Sequence, residues 1–201
     1  MRALICGWFS FDHMGASAGD LFVRDVIGSW LEEIGCPYEV AMSSRLGGGV
    51  DWEQVDPTRY THLIFACGPL GAGEPALSLF ARFAHTKLIG VNLSMLDPLD
   101  GWNPFALLLE RDSSRAVRPD LALLATEPPV PLVGQILVHE QKEYRDGRHA
   151  AVHKLIRDCL AETDAAVVQI DTCLDPPNTT GLRTAAQIES MIARMDYVVT
   201  T

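Results

Sequence analysis

The chain is short of basic residues, short of aromatics and without a long apolar run. Lysine and arginine number 16 against 26 aspartates and glutamates, a formal net charge of −10. Nucleic acid is held largely through displaced counterions, which requires a basic surplus, so DNA and RNA are disfavoured as partners. No stretch reaches the roughly 18 apolar residues that a membrane-spanning helix needs. The five cysteines, Cys6, Cys36, Cys67, Cys159 and Cys173, are odd in number and scattered, with no C-x-x-C pair. That excludes a disulfide framework and a zinc knuckle. Cys6 and Cys67 fall inside apolar strand-like runs, where a thiol behaves as a small hydrophobe.

What is present describes a globular chain. It is 48% hydrophobic and 21% charged, with a mean hydropathy of +0.11, which suits neither a disordered nor a membrane-saturated protein. Arg2, the apolar residues 3–9 and Ala16-Ser17-Ala18 are the pieces of a signal peptide. However, the positive region is one arginine, and Asp12 and His13 precede the cleavage-like site. The same residues read better as strand, glycine loop and helix, so a cytoplasmic location is expected.

The rhythm is strand, turn, helix. Residues 2–8 form an apolar run ending at a glycine-rich loop. Phe22, Val23, Val26, Ile27, Trp30, Leu31 and Ile34 then recur at the spacings of one helical face, and Gly35 ends it. Residues 38–42, 61–67 and 87–92 read as strands, and residues 77–84 as an amphipathic helix. Residues 105–109 form a short apolar element, and residues 121–125 a further apolar run that suits a strand. Such alternation implies a parallel sheet. Three prolines within residues 126–131 mark a linker, giving domains 1–127 and 128–201. After the linker, residues 132–139, 165–170 and 196–201 read as strands. Val152, Leu155, Ile156, Cys159 and Leu160 line one helical face, and Thr184 with Gln187 forms a capping box. The first domain carries 9 basic and 16 acidic residues and the second 7 and 10, so the second repels an anionic ligand less.

Ligands of parallel sheets bind outside the carboxyl ends of the strands, which selects three loops. The first contains Gly15, Gly19 and Asp20, where glycine lets backbone approach a ligand, or where Asp20 serves only as an N-cap. The second, Cys67-Gly68-Pro69-Leu70-Gly71-Ala72-Gly73, is not G-x-G-x-x-G, and Pro69 lacks an amide that a phosphate cradle would use. In the third, Asp171-Thr172 and residues 176–181 hold hydroxyls and an amide for a sugar or phosphate, or for turns. His139 ends a strand and is a candidate pocket residue. His149 and His153 are spaced for two metal ligands, but the glutamate of H-E-x-x-H is missing and Arg145 and Arg148 lie beside them, so a solvated helix face is the plainer reading. No metal site is expected. Ser10, Ser17 and Ser94 lack a G-x-S-x-G elbow. In Glu110-Arg111-Asp112-Ser113-Ser114-Arg115, Arg111 can bind a carboxylate or phosphate bidentately, or pair with Asp112 or Glu110 at an exposed turn.

In chain order these features resemble the polysaccharide pyruvyl transferase family. The residues that carry the resemblance are Gly7-Trp8-Phe9 with Gly19-Asp20 opening a helix, the turn Cys67-Gly68-Pro69-Leu70, and Arg111-Asp112 followed by Pro119-Asp120. Residues 182–201 are similar to the helix and strand that precede the family's Arg-x-His-Gly motif, which is absent here. The usual asparagine of the first loop is not evident, and Arg115 stands where a serine is common. The resemblance implies Rossmann-like parallel sheets in a glycosyltransferase-B-like two-domain arrangement, the second domain incomplete and the catalytic residues beyond Thr201. It implies pyruvyl transfer from phosphoenolpyruvate, a donor substrate and not a cofactor, to a sugar or glycan acceptor. Expected substrate-binding residues are Gly15, Gly19, Asp20, Gly68, Arg111, Asp112 and His139. The alternatives are a non-catalytic sugar- or nucleotide-sugar-binding α/β module, or an inactive fragment.

Overall fold

Every side chain of the strand Ala3–Gly7 (β1) is buried, as its unbroken apolar run requires of a strand covered on both faces. The computed structural model describes residues 1–126, 128–139, 148–175 and 178–201. Glu140 beside His139, Arg145, Pro176 and Pro177 lie outside the described residues. The chain divides into two compact units, Met1–Thr126 and Glu127–Thr201.

In the first unit β1 pairs in parallel with β2 (Tyr38–Val40) and β3 (His62–Ala66). Three further strands, β4 (Pro69–Leu70), β5 (Lys87–Met95) and β6 (Leu107–Asp112), complete a six-stranded parallel sheet in the order β2-β1-β3-β5-β4, with β6 on β5. Because β4 follows β3 at once and pairs with the far end of β5, the two behave as one strand kinked at Cys67 and Gly68. The working order is therefore β2-β1-β3-β5-β6. The chain steps from β1 to one side for β2 and to the other for β3, and this reversal opens a crevice at the strand ends.

Alternation along the strands separates two apolar layers. Ala3 and Ile5 face the helix α1 (Ala18–Glu33), where they meet Val23, Ile27 and Leu31. Leu4 and Cys6 face the other side with Phe65 and the helix α2 (Ala76–Arg82). There Phe80 stands edge-on to Phe65 at 5.4 Å and to Phe105 at 5.6 Å. The stripe of α1 is wider than its buried face: Trp30 and Ile34 are 37% and 66% exposed. Two expectations change here. Residues 121–125 are not a strand: Leu121–Leu124 is a 3-10 turn, because the Asp120 carboxylate caps it by accepting from the Ala122 amide. Glu110, Arg111 and Asp112 do not lie in a turn either, since β6 runs on through Asp112 and the bend follows at residues 113–115.

In the second unit β7 (Leu132–Ile136) lies between β8 (Ala166–Gln169) and β9 (Tyr197–Thr200), all parallel. Thr184 and Gln187 form the reciprocal capping box of the helix α4 (Ala185–Ile192). The helix α3 (His149–Ala161) has no buried residue. Its apolar stripe leaves Leu155 62% exposed. No helix among the described residues is long and apolar enough to cross a membrane.

Phe80 joins β3 to the segment leading into β6 through two ring contacts. Phe80→Ala is expected to lower the stability of the first unit by about 3–5 kcal/mol, read as a lower urea midpoint in equilibrium unfolding.

Candidate functional site

The loop leaving β1 folds into a 3-10 turn, Trp8–Ser10, whose Ser10 is buried. Ser10 Oγ donates to the Ala41 carbonyl at 2.6 Å and accepts from the Gly7 amide at 3.1 Å. The Ser43 amide donates to the Phe9 carbonyl at 2.8 Å. Asp12 accepts from the Ser44 amide and hydroxyl at 2.7 and 2.9 Å. The loops after β1 and β2 are thereby stitched together around a cavity of about 510 Å³. Its walls bring Asp12, His13, Asp51, Glu53 and Glu74 around the Phe11 and Trp52 rings, which meet edge-on at 5.7 Å.

Across the crevice, the Trp8 indole donates to the Pro69 carbonyl at 3.2 Å and lies over Gly68. Gly68 has φ +76°, and a Cβ there would collide with the indole. Two non-glycine residues beside it also take left-handed backbone, Cys67 at φ 69° and Asn92 at φ 58°. Such conformations persist only where the surroundings fix them. Here Asn92 Nδ2 donates to Asp120 Oδ1 at 2.8 Å, and Asn92 Oδ1 accepts from the Leu121 amide at 3.0 Å.

Asp120 leads into a network at the ends of β5 and β6. Arg111 reaches Asp120 Oδ2 at 2.9 Å and Asp112 Oδ2 at 3.1 Å, and it also donates to Ser94 Oγ. Ser94 Oγ donates in turn to Asp112 at 2.8 Å. The Ser94 hydroxyl and then the guanidinium lower the Asp112 pKa. Burial opposes ionisation of Asp120, but the Ala122 amide, Asn92 and Arg111 outweigh it and lower that pKa as well. Both carboxylates hold Arg111 firmly protonated.

Glu110 faces the opposite way. Its side chain is fully buried, yet it pairs with Arg115 at 2.8 Å and with Arg118 at 3.0 Å. The hydrogen bond from Arg115 is the largest influence on this carboxyl and outweighs burial, holding it at about 2.

The structure thus brings Arg111 and Asp112 together with Asn92, Ser94 and Asp120, and sets Gly68 across the crevice mouth. Asp20 is not the N-cap: Ser17 caps α1, and Asp20 closes the capping box by accepting from the Ser17 amide at 2.7 Å. Gly19 is the second residue of α1, so the helix begins at Ala18. Gly15 is exposed, with open space where a side chain would stand. His139 lies in the second unit, where its Nε2 meets Asp171 Oδ1 at 2.9 Å. Asp171 is 4% exposed. Burial would raise its pKa, but the Thr179 and Cys173 amides and His139 hold it at about 2. Asn178, Thr179 and Thr180 spend their polar groups on this turn.

Sequence reasoning missed Asn92 and Ser94 as network members. The rule that ligands gather at strand carboxyl ends points to Asn92, which stands where the apolar run beginning at residue 87 stops. No protein-family model, curated protein or solved structure matches this chain.

Two outcomes follow from this geometry. Glu110 ionises at about 2 in the fold but at about 4.3 when unfolded, so its contribution is complete above the unfolded value and disappears as pH falls through the folded one. Glu110→Gln should therefore cost about 1–3 kcal/mol at neutral pH, and urea melts at decreasing pH should show that difference shrinking between about pH 4.3 and 2. Gly68→Ala places a side chain at positive φ under the indole; a loss of about 1–3 kcal/mol is expected, with a shift in tryptophan emission as Trp8 moves.

Proposed function

We propose that this chain is a pyruvyl transferase-like protein of cell-surface polysaccharide synthesis, acting in the cytoplasm on phosphoenolpyruvate and a sugar or glycan acceptor. The supporting observation is the 2.9 Å ion pair between Arg111 and Asp120. It joins the two halves of the Arg-Asp and Pro-Asp pattern at the strand ends, where ligands of parallel sheets bind. In this reading the two units correspond to the halves of a glycosyltransferase-B-like arrangement.

The chemistry is ketal formation. Two acceptor hydroxyls form C–O bonds to C2 of phosphoenolpyruvate, the enol C–O bond to phosphate breaks, and the methylene carbon gains a proton to become methyl. The second hydroxyl proton leaves with phosphate. Such a reaction calls for an acid, a base and cations for the donor. Asp12, Asp51, Glu53 and Glu74 around the 510 Å³ cavity suit hydroxyl donors and not a phosphate, so the acceptor sugar belongs there. Arg111 orients Asp112 and Asp120, its guanidinium being engaged by both.

That same carboxylate-rich cavity favours a second reading, a sugar- or nucleotide-sugar-binding module without turnover. Incubation with phosphoenolpyruvate and acceptors bearing paired hydroxyls, followed by mass spectrometry, separates the two. A ketal with released phosphate supports pyruvyl transfer, and Arg111→Ala should then reduce it about tenfold or more if one charged contact is lost. Saturable calorimetric binding of a nucleotide sugar without ketal would leave only the binding reading, and neither signal would overturn both.

A further inference from the structure

The second unit contains a cavity of about 380 Å³, within the roughly 300–1,000 Å³ of small-molecule pockets. It opens at the carboxyl ends of β7 and β8, beneath one face of α3. His149, His153 and Arg157 recur every four residues along that face and line the cavity with His139 and Gln169. The two helix histidines are therefore not a solvated face: both are partly buried, and their rings meet at 6.3 Å.

Among the described residues, Asp171 is the one carboxylate that lines the cavity, and it already meets His139 and accepts from the Cys173 and Thr179 amides. Arg157 forms no ion pair with a described residue, unlike Arg2, Arg24, Arg59, Arg111, Arg115 and Arg118. His153 Nε2 is closed off from solvent and has no hydrogen-bond partner among the described residues. The same holds for the Nε2 amide of Gln135, a residue only 6% exposed. Gln135 is in register with Gln169 across β7 and β8, so both side chains rise on the cavity face of the sheet. The opposite face is closed by Met195 and Ile170 over Gly134. Leaving a buried polar atom unsatisfied is costly, and the His153 nitrogen lines the same cavity as a guanidinium that forms no ion pair with a described residue. Among the described residues no group of three His, Cys, Asp or Glu side chains is arranged to hold a metal ion, so the complement of this donor set is an anion.

We infer that the cavity is a binding site for a phosphate-class oxyanion, held by Arg157 and His153, with His149 and Gln169 completing the wall. Arg157 supplies a planar pair of donors matched to a tetrahedral oxyanion. The histidines supply N–H donors, and Asp171 fixes the orientation of His139 at the rim. This inference does not depend on pyruvyl transfer, since it requires neither acceptor nor turnover.

Burial, then Arg157 and His149, hold His153 below the ordinary imidazole value, so it meets the anion as a neutral N–H donor; calorimetric titration of the whole chain with inorganic phosphate tests the inference. Saturable binding is expected, weakened about tenfold or more by Arg157→Ala, which removes a charge-assisted contact, and about fivefold by His153→Gln, which removes one neutral imidazole donor. Lys154→Ala removes a positive charge from the same helix at a residue paired with Asp158 outside the cavity, and it should leave the affinity unchanged. Circular dichroism of the three variants should show equal helix content. No saturable binding up to about 10 mM, weaker than the millimolar affinity expected of a minimal site, would overturn the inference. So would equal weakening by Lys154→Ala and Arg157→Ala, which would reduce the effect to net charge.

Discussion

The guanidinium of Arg111 is shared between Asp112 and Asp120 at the carboxyl edge of the first sheet, and the local architecture depends on that sharing. Two carboxylates so close would repel each other; with the cation between them, each stays ionised. Asp120 then has one oxygen for Arg111 and the other for Asn92 and the Ala122 amide. The first ties β6 to the turn that follows it. The second ties that turn to the left-handed backbone of β5. An edge with no covering strand is thereby closed by charge and hydrogen bonds in place of apolar packing. Buried or half-buried ion pairs contribute little net stability against an apolar replacement, but breaking one leaves an uncompensated charge. The network is best understood as a device that sets geometry.

That geometry carries over to the crevice. The kink at Cys67 and Gly68 turns the chain from β3 to β4 while keeping it paired with β5, and Asn92 makes the matching irregularity on β5. Gly68 alone can lie under the Trp8 indole, so the loops after β1 and β3 approach across the switch point without a side chain between them. The cavity after β1 and β2 is acidic and aromatic, and the cavity of the second unit is lined by His149, His153 and Arg157. One is suited to hydroxyls, the other to an oxyanion.

Much of the fold was legible. Continuous apolar runs located β1, β3 and β5, helical periodicity located α1, and Thr184 with Gln187 located the start of α4. The misreadings share a cause: a residue's local preference lost to a specific partner that the fold brings to it. Residues 121–125 look like a strand until Asp120 caps them. Glu110 looks exposed until Arg115 and Arg118 fold back over it. His149 and His153 look solvated until Gln169 and Asp171 arrive beneath them from β8 and its loop. Arg111, Asp112 and Gly68 were singled out from the strand-end rule and the motif order. Asn92 and Ser94 were not, because their role exists only once β5 lies beside β6.

By itself the sequence determined most of the elements and the parallel character of the sheets, since these follow from periodicity and strand burial. Tertiary structure alone decided which charges are paired and which remain free to meet a ligand. Arginines 111, 115 and 157 take three different places. The first spans two carboxylates, the second shields a buried glutamate, and the third lines a cavity with no ion pair to a described residue. Pairing is a matter of distance across the fold, and no local pattern encodes it.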